Sequence, residues 1–337
     1  MMRILFFLAV SIAGACFHLL RGADVARPAA AQQPGFAALP VAAPEPEDNR
    51  TTPAKVQLGK QLFFDPRLSG NNEMSCATCH LPEKALTDER PRAIGAGGKE
   101  LARNTPTLWN IGLQTSFFWD GRAASLEEQA LIPIQSPDEM AQNLDELVAE
   151  LAAVPGYAAQ FEAVFERPVN VADIARAIAA FQRTLLTPNS PFDRYVAGDK
   201  SALSAEAKQG MDVFQRDGCI RCHNGPLLSD GKFYRLSAGG DPGRGQVTGD
   251  PLERYKFRTP SLRNIAETKP YMHDGSARTL FDAVAFYFRH TPPSGPDALP
   301  VDIEPLLGQS YSEIDAVVEF LRSLTGEMPL VEQPDLP

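Results

Sequence analysis

Cys76-Ala77-Thr78-Cys79-His80 and Cys219-Ile220-Arg221-Cys222-His223 decide how this chain is read. C-x-x-C-H is the attachment sequence of c-type haem. Its two thiols add across the haem vinyl groups, and the adjacent imidazole becomes an axial iron ligand. Two copies imply two covalently bound haem c groups, and so redox chemistry. Rival readings explain less. Zinc ribbons pair two C-x-x-C units without needing His after the second Cys. A thioredoxin-like motif occurs once and opens a helix in a βαβ context. Chance is a poor explanation for two matches in a chain with five Cys and five His in 337 residues.

The surroundings of the two motifs repeat as well. Lys55–Phe64 carries Val56, Leu58, Leu62 and Phe63 at helical spacing. Ser204 is placed to cap a helix bearing Met211, Val213 and Phe214. Both stretches hold Gly-x-x-apolar-Phe, from Gly59 to Phe63 and from Gly210 to Phe214. Downstream, Thr105-Pro106-Thr107-Leu108-Trp109-Asn110-Ile111 matches Thr259-Pro260-Ser261-Leu262-Arg263-Asn264-Ile265 at an ungapped offset of 154. Asp120-Gly121 and Asp274-Gly275 keep that offset, and nine of the 26 pairs between 105–130 and 259–284 are identical. Each unit closes on an amphipathic stripe. One is Ile174, Ile178, Phe181 and Leu185; the other is Ile314, Val317, Val318, Leu321 and Leu324, expected to start at Ser312 with Asp315 three residues on. No run of strands is evident. The expected fold is mainly α: two tandem cytochrome c-like haem domains from an internal duplication, over 54–190 and 191–327, with a tail at 328–337.

Residues 1–31 read as a leader. Met1-Met2-Arg3 precedes the apolar run 4–17, which is too short to span a bilayer comfortably. Ala13-Gly14-Ala15 and Ala29-Ala30-Ala31 both offer A-x-A cleavage sites, and Cys16 is a weak lipidation signal, so an uncleaved or lipidated leader would tether the chain to a membrane. Export to the periplasm agrees with haem attachment outside the cytoplasm. Residues 32–53 are rich in Ala and Pro and are expected to be a flexible linker. A net charge of −10 argues against nucleic acid and suits a basic electron-transfer partner.

The repeat also exposes an asymmetry. Thr279 opens a helix on which Leu280, Val284 and Tyr287 share a face. Shifting Tyr287 back by 154 gives Pro133, which has no donor atom. A haem with one open position binds peroxide or oxygen, whereas one with two protein ligands carries electrons. Tyr287 is thus a candidate sixth ligand of the second haem, with Met272 as rival and an ordinary core aromatic as the plain alternative. No His lies between His80 and His223; His273 and His290 are the others outside the leader.

L-G-x-x-L-F-F-D, both C-x-x-C-H units, R-N-T-P-T-L, F-W-D-G-R, P-D-E-M, R-T-P-S-L-R-N and P-Y-M-H-D-G together resemble bacterial di-haem cytochrome c peroxidases, most closely their methylamine-utilisation relatives of the MauG type. The likeness spans about residues 54–326. It implies several roles. Peroxidases of the family place a removable His sixteen residues after the first proximal His; here Gly95-Ala96-Gly97 puts Ala96 there, implying an open haem in the resting state. Tyr at position 287, in place of the peroxidases' Met, is what MauG-type members use. Trp119 matches the tryptophan between the haems, with core packing beside Phe117 and Phe118 as its plain alternative. Glu139 matches the distal acid; a helix first turn after Ser136-Pro137 is the alternative. Gln129 and Pro133 match other distal positions. Asn104 with the carbonyls of Thr268 and Pro270 falls on the family's calcium site.

The resemblance therefore implies a periplasmic di-haem peroxidase (a cytochrome-c peroxidase) that reduces hydrogen peroxide with electrons from a small c-type cytochrome or cupredoxin. The alternative is a MauG-type oxidase that matures a quinone cofactor on a partner quinoprotein. A non-catalytic di-haem electron carrier is the third reading, and it needs a sixth ligand on both haems.

Overall fold

A computed structural model describes residues 35–236, 240–289, 301–302 and 310–337. The leader with Cys16, and His290, lie outside them. The described residues form eleven helices and one two-residue antiparallel ribbon. The helices are α1 (Pro53–Phe64), α2 (Cys76–Cys79), α3 (Leu126–Gln135), α4 (Leu144–Ala153), α5 (Pro155–Phe165), α6 (Val171–Arg183), α7 (Pro191–Val196), α8 (Ala205–Arg216), α9 (Arg244–Thr248), α10 (Leu280–Arg289) and α11 (Tyr311–Arg322). Strand β1 (Phe233–Tyr234) pairs with β2 (Phe257–Arg258). No helix among the described residues is long and apolar enough to cross a membrane.

Each haem motif follows a helix that crosses the closing helix of its unit. Thr52 caps α1 by accepting from Lys55 N, and Pro53 fills the first turn, where its missing N–H costs nothing. Leu58, Leu62 and Phe63 then reach zero exposure against α6. Ser204 caps α8 by accepting from Ala207 N at 3.0 Å, and α8 packs on α11. Glycine sets both crossings. A Cβ on Gly59 would sit 1.8 Å from Ala177 O, and one on Gly210 would sit 1.8 Å from Ala316 O. The phenylalanine four residues after each glycine packs on the partner helix: Phe63 on Phe181 at 5.3 Å, Phe214 on Phe320 at 5.2 Å between ring centroids.

The duplication extends to backbone conformation. Asn110 and Asn264 are left-handed (φ 62° and 57°), as are Phe118 and Met272 (66° and 72°) and Gly121 and Gly275 (69° and 67°). The bridge Phe117–Ala123 recurs as Tyr271–Ala277. Both asparagine amides donate to one atom, Thr187 Oγ1, at 2.8 Å, so the two units meet at this threonine.

Two expectations need correction. Helix α11 is capped by Ser310 with Glu313, not by Ser312 with Asp315. The stretch read as a flexible linker is anchored at particular residues between Phe36 and Asn49, with exposed residues such as Val41 between them. Phe36 lies against Phe192, Phe214 and Phe320, and Ala37 O accepts from the Arg263 guanidinium. Asn49 Nδ2 donates to Glu127 Oε1 and Arg176 O. A segment that precedes the first unit thus seals the core of the second. The tail does the converse: Val331 is buried among Phe63, Trp109 and Phe181, and Arg67 donates to Pro337 O at 3.0 Å.

Candidate active site

Both C-x-x-C-H motifs present the same chemistry. The first forms α2, started by Thr78 Oγ1 accepting from Ser75 N at 2.9 Å. The second is a 3-10 turn after left-handed Gly218 (φ 81°). All four thiols are half-buried and unpaired. Burial pushes the Cys76 and Cys219 thiols up to about 12. His80 Nδ1 lies 3.0 Å from Leu86 O, and His223 Nδ1 lies 3.0 Å from Leu228 O. A ring that donates there keeps the lone pair on Nε2, the arrangement a metal-bound imidazole needs. Burial lowers both imidazole pKa values, which favours the neutral ligand form. Two thiols beside an imidazole whose Nδ1 is held at a backbone carbonyl fit a covalent haem at each motif.

The expected distal residues of the first unit come together. Gln129 and Pro133 lie one turn apart on α3, both half-buried. Gln182 Nε2 donates to Gln129 Oε1 at 3.4 Å. The chain then turns back, with Met140 N donating to Pro133 O at 3.1 Å. Glu139 sits on this turn, not in the first turn of a helix, which removes the plain alternative for it. The Gly95–Gly97 loop is laid directly over it: Ala96 N donates to Glu139 O at 2.9 Å, and a Cβ on Gly95 would be 1.9 Å from Asp138 O. Glu139 Oε2 is buried without a hydrogen-bond partner. Burial raises its pKa; Arg122 offsets part of the rise and Asp138 adds to it. Its carboxyl is also close enough to Cys79 to push that thiol up.

In the second unit, Tyr287 is half-buried on α10. Burial raises its hydroxyl pKa, with further contributions from the nearby Cys219 and Cys222. Met272 packs against the same core. Between the units, Trp119 Nε1 donates to Asn104 O at 3.0 Å while Trp119 O accepts from Arg258 N at 2.8 Å. Asn104 N donates to His273 O at 2.8 Å, which ties Asn104 to the turn that follows Thr268 and Pro270. No group of three His, Cys, Asp or Glu side chains that could hold a metal occurs among the described residues. An ion at Asn104 would rest on amide and carbonyl oxygens, donors that suit calcium. Sequence reasoning missed the charges in this seam. Arg103 bridges Asp120 of the first unit at 2.5 Å and Asp241 of the second at 2.7 Å. Nothing in the spacing pairs Arg103 with Asp241, 138 residues away.

Two haem-attachment motifs on duplicated helical units define a di-haem c-type protein. The chain belongs to the di-haem cytochrome c peroxidase family, which includes MauG. The model of the family described as "Di-haem cytochrome c peroxidase" matches residues 53–201. The chain is 43% identical over 305 residues to the methylamine utilization protein MauG of Methylorubrum extorquens, covering 88% of this chain and 86% of that one. It is 38% identical over 294 residues to the cytochrome c551 peroxidase of Pseudomonas aeruginosa, covering 83% and 81%. Among solved structures, a MauG-like protein associated with microbial copper homeostasis superposes with a TM-score of 0.78 at 33% identity, covering 88% of this chain and 97% of that one.

Proposed function

We propose that this protein is a periplasmic di-haem peroxidase that reduces hydrogen peroxide at its first haem site, with electrons from a small c-type cytochrome or cupredoxin entering through the second. Cys76, Cys79 and His80 would hold the first haem; Cys219, Cys222, His223 and Tyr287 would hold the second. The observation that carries the reading is the buried, unpartnered Glu139 Oε2 beside Ala96, whose backbone N–H donates to Glu139 O. When bound, haem would supply the redox-active iron and the two electrons that peroxide reduction needs. Glu139 accepts the proton of the inner peroxide oxygen and returns it to the outer one, which leaves as water. Its raised pKa brings the carboxyl closer to the working pH of a proton shuttle. Gln129 and Pro133 line the same pocket and limit water around the reacting atoms. Trp119, fixed from both units, lies on the electron route between them, and a calcium ion at Asn104, Thr268 and Pro270 stiffens that seam.

The test is steady-state oxidation of reduced cytochrome c by the haem-loaded protein as a function of peroxide. Saturable turnover supports the reading; none with any small cytochrome or cupredoxin counts against it.

A second reading is favoured by Tyr287 and Ala96 together: a MauG-type oxidase acting on a quinoprotein precursor. It predicts peroxide-driven modification of a co-purified partner protein alongside weak turnover of cytochrome c.

A further inference from the structure

Arg258 is a buried cation of an unusual kind for this chain. It closes β2 and is 7% exposed. Its hydrogen bonds run to main-chain oxygens: Nε donates to Phe118 O at 3.2 Å and Nη1 to Thr259 O at 3.3 Å. Three other buried or largely buried arginines hold a carboxylate. Arg263 has Asp193 at 2.8 Å, Arg183 has Glu127 at 2.8 Å, and Arg103 has Asp120 and Asp241. Arg258 forms no ion pair with any described residue. Burial pushes its guanidinium down to about 10, with no charged neighbour acting against it. Arginine does not escape burial by losing its proton, and a buried charge without a counter-ion is strongly destabilising. The fold therefore calls for an anion that the described residues do not supply.

The position narrows which anion. Thr259 O, which accepts from Arg258 Nη1, also accepts from Ser229 Oγ at 2.7 Å. Ser229 follows Leu228, whose carbonyl oxygen meets His223 Nδ1. The guanidinium is thus joined through two hydrogen bonds to the loop that carries the axial ligand of the second haem. On the other side it reaches Phe118 O, and its backbone N–H reaches Trp119 O, both from the first unit. In the repeat, Arg258 takes the place of Asn104, so the charge belongs to the second unit alone. A haem anchored by its vinyl edge at Cys219 and Cys222 carries two carboxylates on the opposite edge.

We propose that Arg258 is the counter-ion of a propionate on the second haem and clamps that edge to the Trp119 seam. This rests on the di-haem reading above. Arg258 is a positioning residue: it touches the cofactor's carboxylate and sets that haem's potential without entering the peroxide chemistry.

The test compares the haem-loaded protein with R258Q and R258K by spectroelectrochemistry and resonance Raman. Removing a cation beside the propionate favours ferric iron. In R258Q the reduction equilibrium of the second haem is expected to shift toward the oxidised form by about tenfold or more, with the first haem moving far less. The propionate bending mode typical of guanidinium contact is lost. R258K restores most of the potential but not that mode, because lysine lacks the planar fork. Unchanged potentials and modes in R258Q, or a shift confined to the first haem, overturn the proposal. If R258Q does not accumulate, the wild-type Raman spectrum decides: all propionate modes at their solvent-exposed positions overturn it. Failure of the di-haem reading itself shows separately, as fewer than two covalent haems in a pyridine haemochrome assay.

Discussion

Ala96 and Glu139 are joined by a main-chain hydrogen bond: Ala96 N donates to Glu139 O at 2.9 Å. The residue at the position where the family's peroxidases carry a removable histidine therefore lies directly against the candidate distal acid. A methyl group at this point leaves the Glu139 carboxyl as the candidate proton-transfer side chain of the proposed first haem site. Substituting Glu139 by Gln keeps its size and removes its proton chemistry. Peroxide should then react about a hundredfold more slowly or worse, while cyanide binding is largely kept. Stopped-flow traces with each ligand check this, and a wild-type peroxide rate would move the proton role elsewhere.

The same substitution has a stability signature. Glu139 has a raised pKa in the folded chain. Between the ordinary carboxyl value and that raised value, the folded state holds the extra proton, so stability falls as pH rises through this window. Above it the full cost of the buried charge is present. E139Q should therefore melt higher than wild type near pH ~8, with the gap closing below pH ~4. Equal melting temperatures across that range would show that the carboxyl is not strained by burial.

Tyr287→Phe removes the candidate sixth ligand of the second haem. The low-spin signal of that haem should change and its potential should rise, because a phenolate favours ferric iron. An unchanged signal in Y287F with loss of the signal in Met272→Leu would transfer the ligand role to Met272.

Gly59→Ala and Gly210→Ala should each disrupt one helix crossing, since the added carbon would lie 1.8 Å from a backbone oxygen. Overpacking costs about 1–3 kcal/mol in ordinary cores, and these contacts belong at or beyond the upper end. Thermal unfolding is the readout. A loss below about 0.5 kcal/mol would mean the helices separate easily, contrary to the packing described.

Phe36→Ala should destabilise the second unit by about 2–4 kcal/mol, although Phe36 precedes the first unit in the chain. A neutral result would return residues 35–49 to the role of a loose tether.

The haem motifs, the repeat and the helix stripes were legible in the sequence because each is local. Thiol, imidazole and glycine positions are fixed by short-range chemistry, and an ungapped offset reveals the copy. Phe36 was not legible: one aromatic in an Ala/Pro-rich stretch has no periodicity, and only the Phe192, Phe214 and Phe320 rings give it a place. The cap of α11 was misplaced because Ser310-x-x-Glu313 and Ser312-x-x-Asp315 both satisfy the capping pattern, and the structure uses the earlier one. Glu139 and Ala96 were found through family resemblance, and their contact needed the loop geometry. Arg258 opens the R-T-P-S-L-R-N motif, but its missing counter-ion has no sequence signal, since that is a property of the folded seam.

The first haem site is expected to be open and the second closed by a protein ligand. Electron paramagnetic resonance of the resting, fully oxidised, haem-loaded protein tests it most directly. One high-spin and one low-spin ferric signal of equal weight are expected, with the high-spin signal converting on addition of cyanide. Two low-spin signals and no high-spin iron would contradict it.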